Sequence, residues 1–517
     1  MRALSTKTSK IRFELKRLSD FLKVFSRSKR GMLGLAIITA FVLVALCAPI
    51  ITPYDPVSIV DTPKIAYKLS KPTWYRYLFP GENVSENVDV TSDPYFKSAE
   101  AIEKLKLETE LIHQSSIHTE YIPNRGFPDG SGPGCMAIVF KRESDVVPYG
   151  EVSVNLTAAF NYPYSFPPKQ FTGEVAVFVD NPQNQSMRIY VVLEKTGDAG
   201  KRITWAPGDC QIGTGGWISP YPPIDSDNYY TRDWLEETLG SEWSASPVKM
   251  MFSESAGYEF SVKITFEDTL PGASNVTVYV DDLFLRLYGN SFGLLGTDQY
   301  QRDIFTQLVY GARISLLIGL LTALFTTTIG LTVGLTAGYV GGLVDQILMR
   351  FTDMLLVIPD TPLYIVLMAV LNPSIWTLVT LMTLIGWTGF ARISRSQALS
   401  LKERPFVEAA KAVGGGRLHI ILRHILPNVM SLVYVALATA VPSAIINEAW
   451  LSFLGLYDPT TMTWGRMLEG MSGESEGIRM WWWIMPPGLC IAAISLSFIL
   501  IGYALDDILN PKLRERR

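Results

Sequence analysis

Charged residues are scarce in this chain of 517 residues, at 18%, where soluble proteins carry roughly a quarter. Cysteine and histidine are scarcer still, with four of each. So few cysteines exclude a disulfide-built scaffold. His113 and His118 lie five apart and share no helix face well, so no metal site is in view. Net charge is only −4, and no basic field points to nucleic acid. No Gly-x-x-x-x-Gly-Lys-Ser/Thr run is present, so this chain cannot cradle ATP phosphates itself. No catalytic set is visible, and the chain does not read as an enzyme.

The missing charge is concentrated in apolar runs. Residues 31–51 carry none at all, and as a helix they reach roughly 30 Å, the thickness of a bilayer core. The run is too long for a secretory signal and lacks a small-residue cleavage site after it, so it reads as a retained signal-anchor helix. Five further apolar stretches lie near 313–338, 347–371, 376–393, 427–450 and 483–505. Ten Lys and Arg fall in the first thirty residues, and the loop 392–426 and the closing run LNPKLRERR are basic too. Basic flanks stay in the cytoplasm. The expected architecture is therefore an α-helical polytopic membrane protein in the cell membrane, with six crossings and both termini cytoplasmic.

Residues 52–290 are then outside, and that segment is far too long to lack structure of its own. Runs such as GEVSVNLTAAF, GEVAVFVD, MRIYVVLEK, YEFSVKITFED and NVTVYVDDLFLRLYG alternate as strands do. They predict an inserted extracytoplasmic, mainly-β domain, a jelly-roll-like sandwich. Helices are expected over 97–112 and 231–240. Cys135 and Cys210 are the only cysteines in this part; outside the cell they could pair as a disulfide, the other reading being two buried thiols. Glycosylation sequons begin at Asn83, Asn155, Asn184 and Asn275. Trp205, Trp217, Tyr229, Tyr230, Trp234 and Trp243 are candidates for stacking on sugar rings or, more ordinarily, for core packing. The division is 1–30 basic segment, 31–51 first helix, 52–290 insertion, 291–510 five-helix core and 511–517 tail.

The strongest signal is the loop 402–427. Glu408-Ala409-Ala410 is followed by Gly414 and then by Leu426-Pro427. A short helix ending in glycines stops sharply, because glycine accepts φ > 0. Small alanines let a partner's groove approach the backbone, while Glu408 and Arg404 offer charges. This arrangement resembles the coupling loop of binding-protein-dependent ABC importer permeases. LLGTDQYQRDIF, DQILMRFTDMLLVIP, NEAWLSFLGL, TWGRML and DDILNPKLR follow in the order of the C-type subunits of oligopeptide and dipeptide permeases. That branch usually has Gly where Gln301 stands; where His424 stands the generic family pattern has Ile, and the peptide-permease branch often has His, as here. The likeness covers 1–60 and about 290–517 and leaves the insertion out.

The resemblance implies an importer subunit for oligopeptides or, following the jelly-roll hint, oligosaccharides. It implies a second homologous permease subunit, two ATPase subunits that bind ATP and Mg, and an extracytoplasmic binding protein, with no cofactor in this chain. Asp353, Asp360 and Glu448 lie inside apolar segments, where charge is costly in lipid and faces a cavity or a partner. A translocation path is one reading. A structural ion pair, with Arg350 for example, is the other, and it is favoured for Asp353 and Glu448. The competing functional class is a membrane-anchored surface receptor or carbohydrate-binding adhesin whose helices only anchor it.

Overall fold

The computed structural model describes residues 23–58, 64–110, 116–128, 132–182, 186–205, 216–218, 223–228, 231, 246–472 and 479–509. The chain forms two compact units, Met1–Thr62 with Asp298–Arg517, and Pro63–Thr297. The expected insertion boundaries of 52 and 290 therefore move inward and onward. Residues up to 58 stay with the helical unit, where the Arg302 guanidinium donates to the Val57 carbonyl at 3.2 Å.

The helical unit contains α1 (Lys29–Ile51), α2 (Ile304–Val340), α3 (Gly342–Val357), α4 (Asp360–Val370) and α5 (Ile375–Lys402). There follow α6 (Pro405–Ala412), α7 (Arg417–Ile420), α8 (Leu426–Phe453), α9 (Trp464–Ser472) and α10 (Trp481–Leu509). Among the described residues, four helical stretches are long and apolar enough to cross a membrane: α1, α2, Arg417–Phe453 and Trp481–Ile508. A fifth is the pair α3 and α4, bent by 82°. The apolar stretch expected at 376–393 lies in α5. That helix runs on to Lys402 and falls short of the same measure, because Arg392 and Arg395 interrupt it.

Small residues set the tightest packing. Gly330, Gly334 and Gly338 form a stripe on α2 against α5, and a Cβ at Gly334 would lie 2.0 Å from Ser394 Oγ. Such stripes bring membrane helices close enough for dispersion contacts that lipid cannot match. Ser394 Oγ also donates to the Gly330 carbonyl at 3.1 Å.

The second unit is a β-sandwich. Its strands are β1 (Val88–Asp89), β2 (Lys106–Thr109), β3 (Ile117–Pro123), β4 (Gly134–Arg142), β5 (Gly150–Tyr162) and β6 (Gln170–Asp180). The rest are β7 (Met187–Lys195), β8 (Asp198–Trp205), β9 (Trp217–Ile218), β10 (Ile224–Asp225), β11 (Ala256–Asp268) and β12 (Ser274–Tyr288). One sheet runs β10-β6-β12-β4-β3, with β1 and β9 at its margins; the other runs β2-β5-β11-β7-β8. Inward residues of both share one core, with Phe171, Leu193, Phe260 and Leu285 fully buried. Within it Arg142 holds Asp268 through Nε at 2.7 Å and Nη2 at 3.1 Å.

The strand runs expected from alternation are all present. The helix expected over 97–112 is mostly absent: only Glu100–Glu103 is helical, and Lys106–Thr109 pairs with β5 as an edge strand. Residues 232–240 of the other expected helix lie outside the described residues. Cys135 is buried in β4 and a free thiol among the described residues, and burial pushes it up to about 12. Cys210 lies outside the described residues. Asn83 and Asn275 are exposed. Asn155 is not free for a glycan in the same way, because it sits mid-strand between β2 and β11 with its Oδ1 enclosed. Asn184 lies outside the described residues. Trp205 is in the core against Phe171, and Trp217 is half-buried beside Phe178 on the sheet's other face. Tyr229, Tyr230, Trp234 and Trp243 lie outside the described residues.

Candidate functional site

The loop after α5 is built by three local devices. Pro405 opens α6 at its first position, where a missing N–H costs nothing. The helix closes on Gly414 at φ +86°. Gly414 N–H donates to the Lys411 carbonyl at 2.9 Å and Gly415 N–H to the Ala410 carbonyl at 3.0 Å. This is the paired-bond C-cap that satisfies the last carbonyls of a helix. The third device lies before Pro427, whose ring would strike the carbonyl of Arg423 in a regular helix. There Ile421–Ile425 widens to a π-turn, and Leu426 N–H reaches back to the Ile421 carbonyl. The same turn sets the rings of His419 and His424 5.8 Å apart.

This hairpin has an anchored side and an open side. Val407, Ile420 and Ile425 are fully buried against Leu335 and Tyr339 of α2 and Ala398 of α5. Lys411 Nζ lies 5.6 Å above the Tyr339 ring. Arg404, Glu408, Ala409, Gly414 and Pro427 are exposed, while Ala410 and Leu426 are half-buried and pack inward. Glu408 takes no ion pair among the described residues. Also open are Phe406, Val413, Leu418 and Leu422, with Val413 89% exposed. These four apolar residues were not singled out from the sequence; their spacing in an otherwise basic loop was the signal. Leaving them in water is unfavourable by about 1.5–3 kcal/mol each relative to burial.

A cavity of about 440 Å³ opens between α2, α4, α5 and α8. The break between α3 and α4 falls at Ile358-Pro359, both in extended conformation. A residue preceding proline is pushed out of the helical region. Asp360, the first residue of α4, lines the cavity beside Tyr364. The other two acids are elsewhere. Asp353 pairs with Arg392 at 2.6 Å, not with Arg350. Glu448 is 1% exposed and accepts from Ser452 Oγ at 2.8 Å. Neither lines the cavity; of the three only Asp360 does.

Residues 330–515 match the family profile described as binding-protein-dependent transport system inner membrane component. Residues 16–72 match the N-terminal TM domain of oligopeptide transport permease C. The dipeptide transport system permease protein DppC of Bacillus subtilis (strain 168) is 39% identical over 221 residues, 42% of this chain and 68% of the relative. DppC of Escherichia coli (strain K12) is 40% identical over 228 residues, 44% of this chain and 75% of the relative. Among solved structures, TmCBM61 in complex with β-1,4-galactotriose aligns over 38% of this chain and 97% of its own, at 10% identity and a TM-score of 0.21; that likeness carries no argument. The motif order, the exposed hairpin and these relatives lead to one assignment: the chain belongs to the binding-protein-dependent transport family of inner-membrane components, as an ABC permease of the oligopeptide and dipeptide branch.

Proposed function

We propose that the chain is one permease subunit of an ATP-driven importer that takes up peptides. A second homologous permease subunit stands beside it, and two ATPase subunits bind ATP and Mg on the cytoplasmic side. An extracytoplasmic binding protein delivers the substrate. The observation that carries this reading is the hairpin around Glu408. Ala409, the unpaired Glu408 carboxylate and the open apolar residues form a face that Val407, Ile420 and Ile425 tie rigidly to α2 and α5. A partner docking there can push on the bundle without melting the hairpin.

Six crossings follow if α5 counts as one, which puts both termini and the hairpin in the cytoplasm and Pro63–Thr297 outside. The strand order of the two sheets supports a jelly-roll form for that unit. Peptides are preferred to oligosaccharides because the relatives' names specify peptides. The anchored-receptor reading gives no reason for a basic loop with apolar residues left in water.

The test is co-purification. Glu408→Lys is expected to reduce recovery of the ATPase with this chain about tenfold, as charge reversal at a docking face costs on the order of 1–2 kcal/mol. Unchanged recovery, with unchanged ATP-dependent uptake, would remove the docking role.

A further inference from the structure

We infer that Asp360 and the hydroxyls around it form an intramembrane subsite for a cationic group, the free α-ammonium of the transported peptide. The inference rests on the reading of the chain as a peptide permease and adds a specificity-determining residue to it.

The cavity's chemistry is one-sided. Asp360 is its only charged lining residue, and no Lys or Arg lines it. Of the hydroxyls that line it, three have their protons already committed. Thr326 Oγ1 donates to the Thr322 carbonyl at 2.7 Å, Thr439 Oγ1 to Val435 at 3.1 Å, and Ser443 Oγ to Thr439 at 3.0 Å. A hydroxyl carries one proton. With that proton turned back to its own helix, each hydroxyl has only lone pairs to offer. Thr322 also lines the cavity, is 5% exposed, and its enclosed Oγ1 has no hydrogen-bond partner among the described residues. An ammonium, with three donors and no acceptor, complements the one carboxylate and these three hydroxyl lone pairs, which share the lining with the Asn447 amide and the Tyr364 hydroxyl.

The helix end does not account for Asp360 by itself. Thr361 gives both of its hydrogen bonds to Oδ1, from N at 2.7 Å and from Oγ1 at 3.3 Å, and Oδ2 has no partner among the described residues. The positive end of α4 offsets about half a charge, so a net negative field remains.

The test uses the complex purified through this chain in nanodiscs, with Ser443→Cys as a reporter of the cavity and the same complex without that substitution as background. N-ethylmaleimide labelling is followed with trialanine or N-acetyl-trialanine present. Trialanine should slow labelling roughly tenfold more effectively than its acetylated form, the scale of one charge-assisted hydrogen bond. Adding Asp360→Asn should erase that difference, and Asp360→Glu should keep it. A purely structural role would change protection by both peptides alike in Asp360→Asn, and that result overturns the subsite. ATP-dependent uptake of trialanine in liposomes separates the two readings. Uptake together with an unchanged protection ratio in Asp360→Asn sinks the subsite alone. No uptake and no protection by either peptide sinks the peptide reading and the subsite together.

Discussion

Arg395 of α5 holds Asp345 of α3 in a two-point grip, Nε to Oδ1 at 2.5 Å and Nη2 to Oδ2 at 2.6 Å. Arg392, one turn earlier, holds Asp353 through a single oxygen. The pair at Asp345 is the more sheltered, with 17% of the acid's side chain exposed against 53% for Asp353. Both tie α3 to the helix that leads into the hairpin. They differ in the features that decide the strength of an ion pair, namely geometry and access to solvent.

That difference ranks two substitutions. Asp345→Asn is expected to lower stability by about 1–2 kcal/mol and Asp353→Asn by under about 1 kcal/mol. Thermal unfolding of the purified complex measures both. A larger loss for Asp353→Asn would reverse the ranking.

Gly414 sits at φ +86°, and a Cβ there would meet nothing within 4 Å. Any effect of a side chain is therefore conformational. Gly414→Ala should cost about 1–2 kcal/mol at the helix end and weaken ATPase association; Gly414→Asn should cost less, because Asn tolerates the left-handed region. Equal effects of the two substitutions would count against the C-cap argument.

Gln301 stands where the branch has Gly, and the turn keeps the glycine conformation regardless: φ is +67°. The side chain has not changed the turn; it strains it. Gln301→Gly should raise the melting temperature, with a gain of about 0.5–1 kcal/mol after the entropy of the added glycine is subtracted. A lower melting temperature would show that the side chain contributes more than its backbone costs.

Asp282 of the sandwich is 1% exposed at φ +50°, and its Oδ1 has no hydrogen-bond partner among the described residues. Burial, then the charges of Asp281 and Glu174, push its carboxyl up to about 7. The unfolded carboxyl titrates near about 4. Between those values the folded state keeps a proton that the unfolded state has released, so stability falls as pH rises through this window. Calorimetry of the full chain should show the transition of this unit at lower temperature at pH 8 than at pH 5. Asp282→Asn should flatten the dependence. A pH-independent wild-type transition would refute the assignment.

Much of this protein could be read along the chain. Uninterrupted apolar runs mark helices because lipid offers the backbone no hydrogen bonds, and alternation in GEVSVNLTAAF or YEFSVKITFED marks strands because successive side chains face opposite sides. Residues 97–112 show where that reading stops. Lys106–Thr109 has helix-forming neighbours, and it becomes a strand because the edge of β5 offers it a ladder. Local preference of a few tenths of a kcal/mol per residue yields to such pairing.

The sequence by itself determined the hairpin after α5, since Pro405, Gly414 and Pro427 act on backbone angles within a few residues of themselves. Only the tertiary structure decided what the three membrane acids do. Asp353 found Arg392, Glu448 was enclosed with Ser452, and Asp360 was left facing a cavity. Those outcomes depend on which helices come to lie side by side, and a charge's partner across a bundle follows from packing distances that residue spacing does not encode.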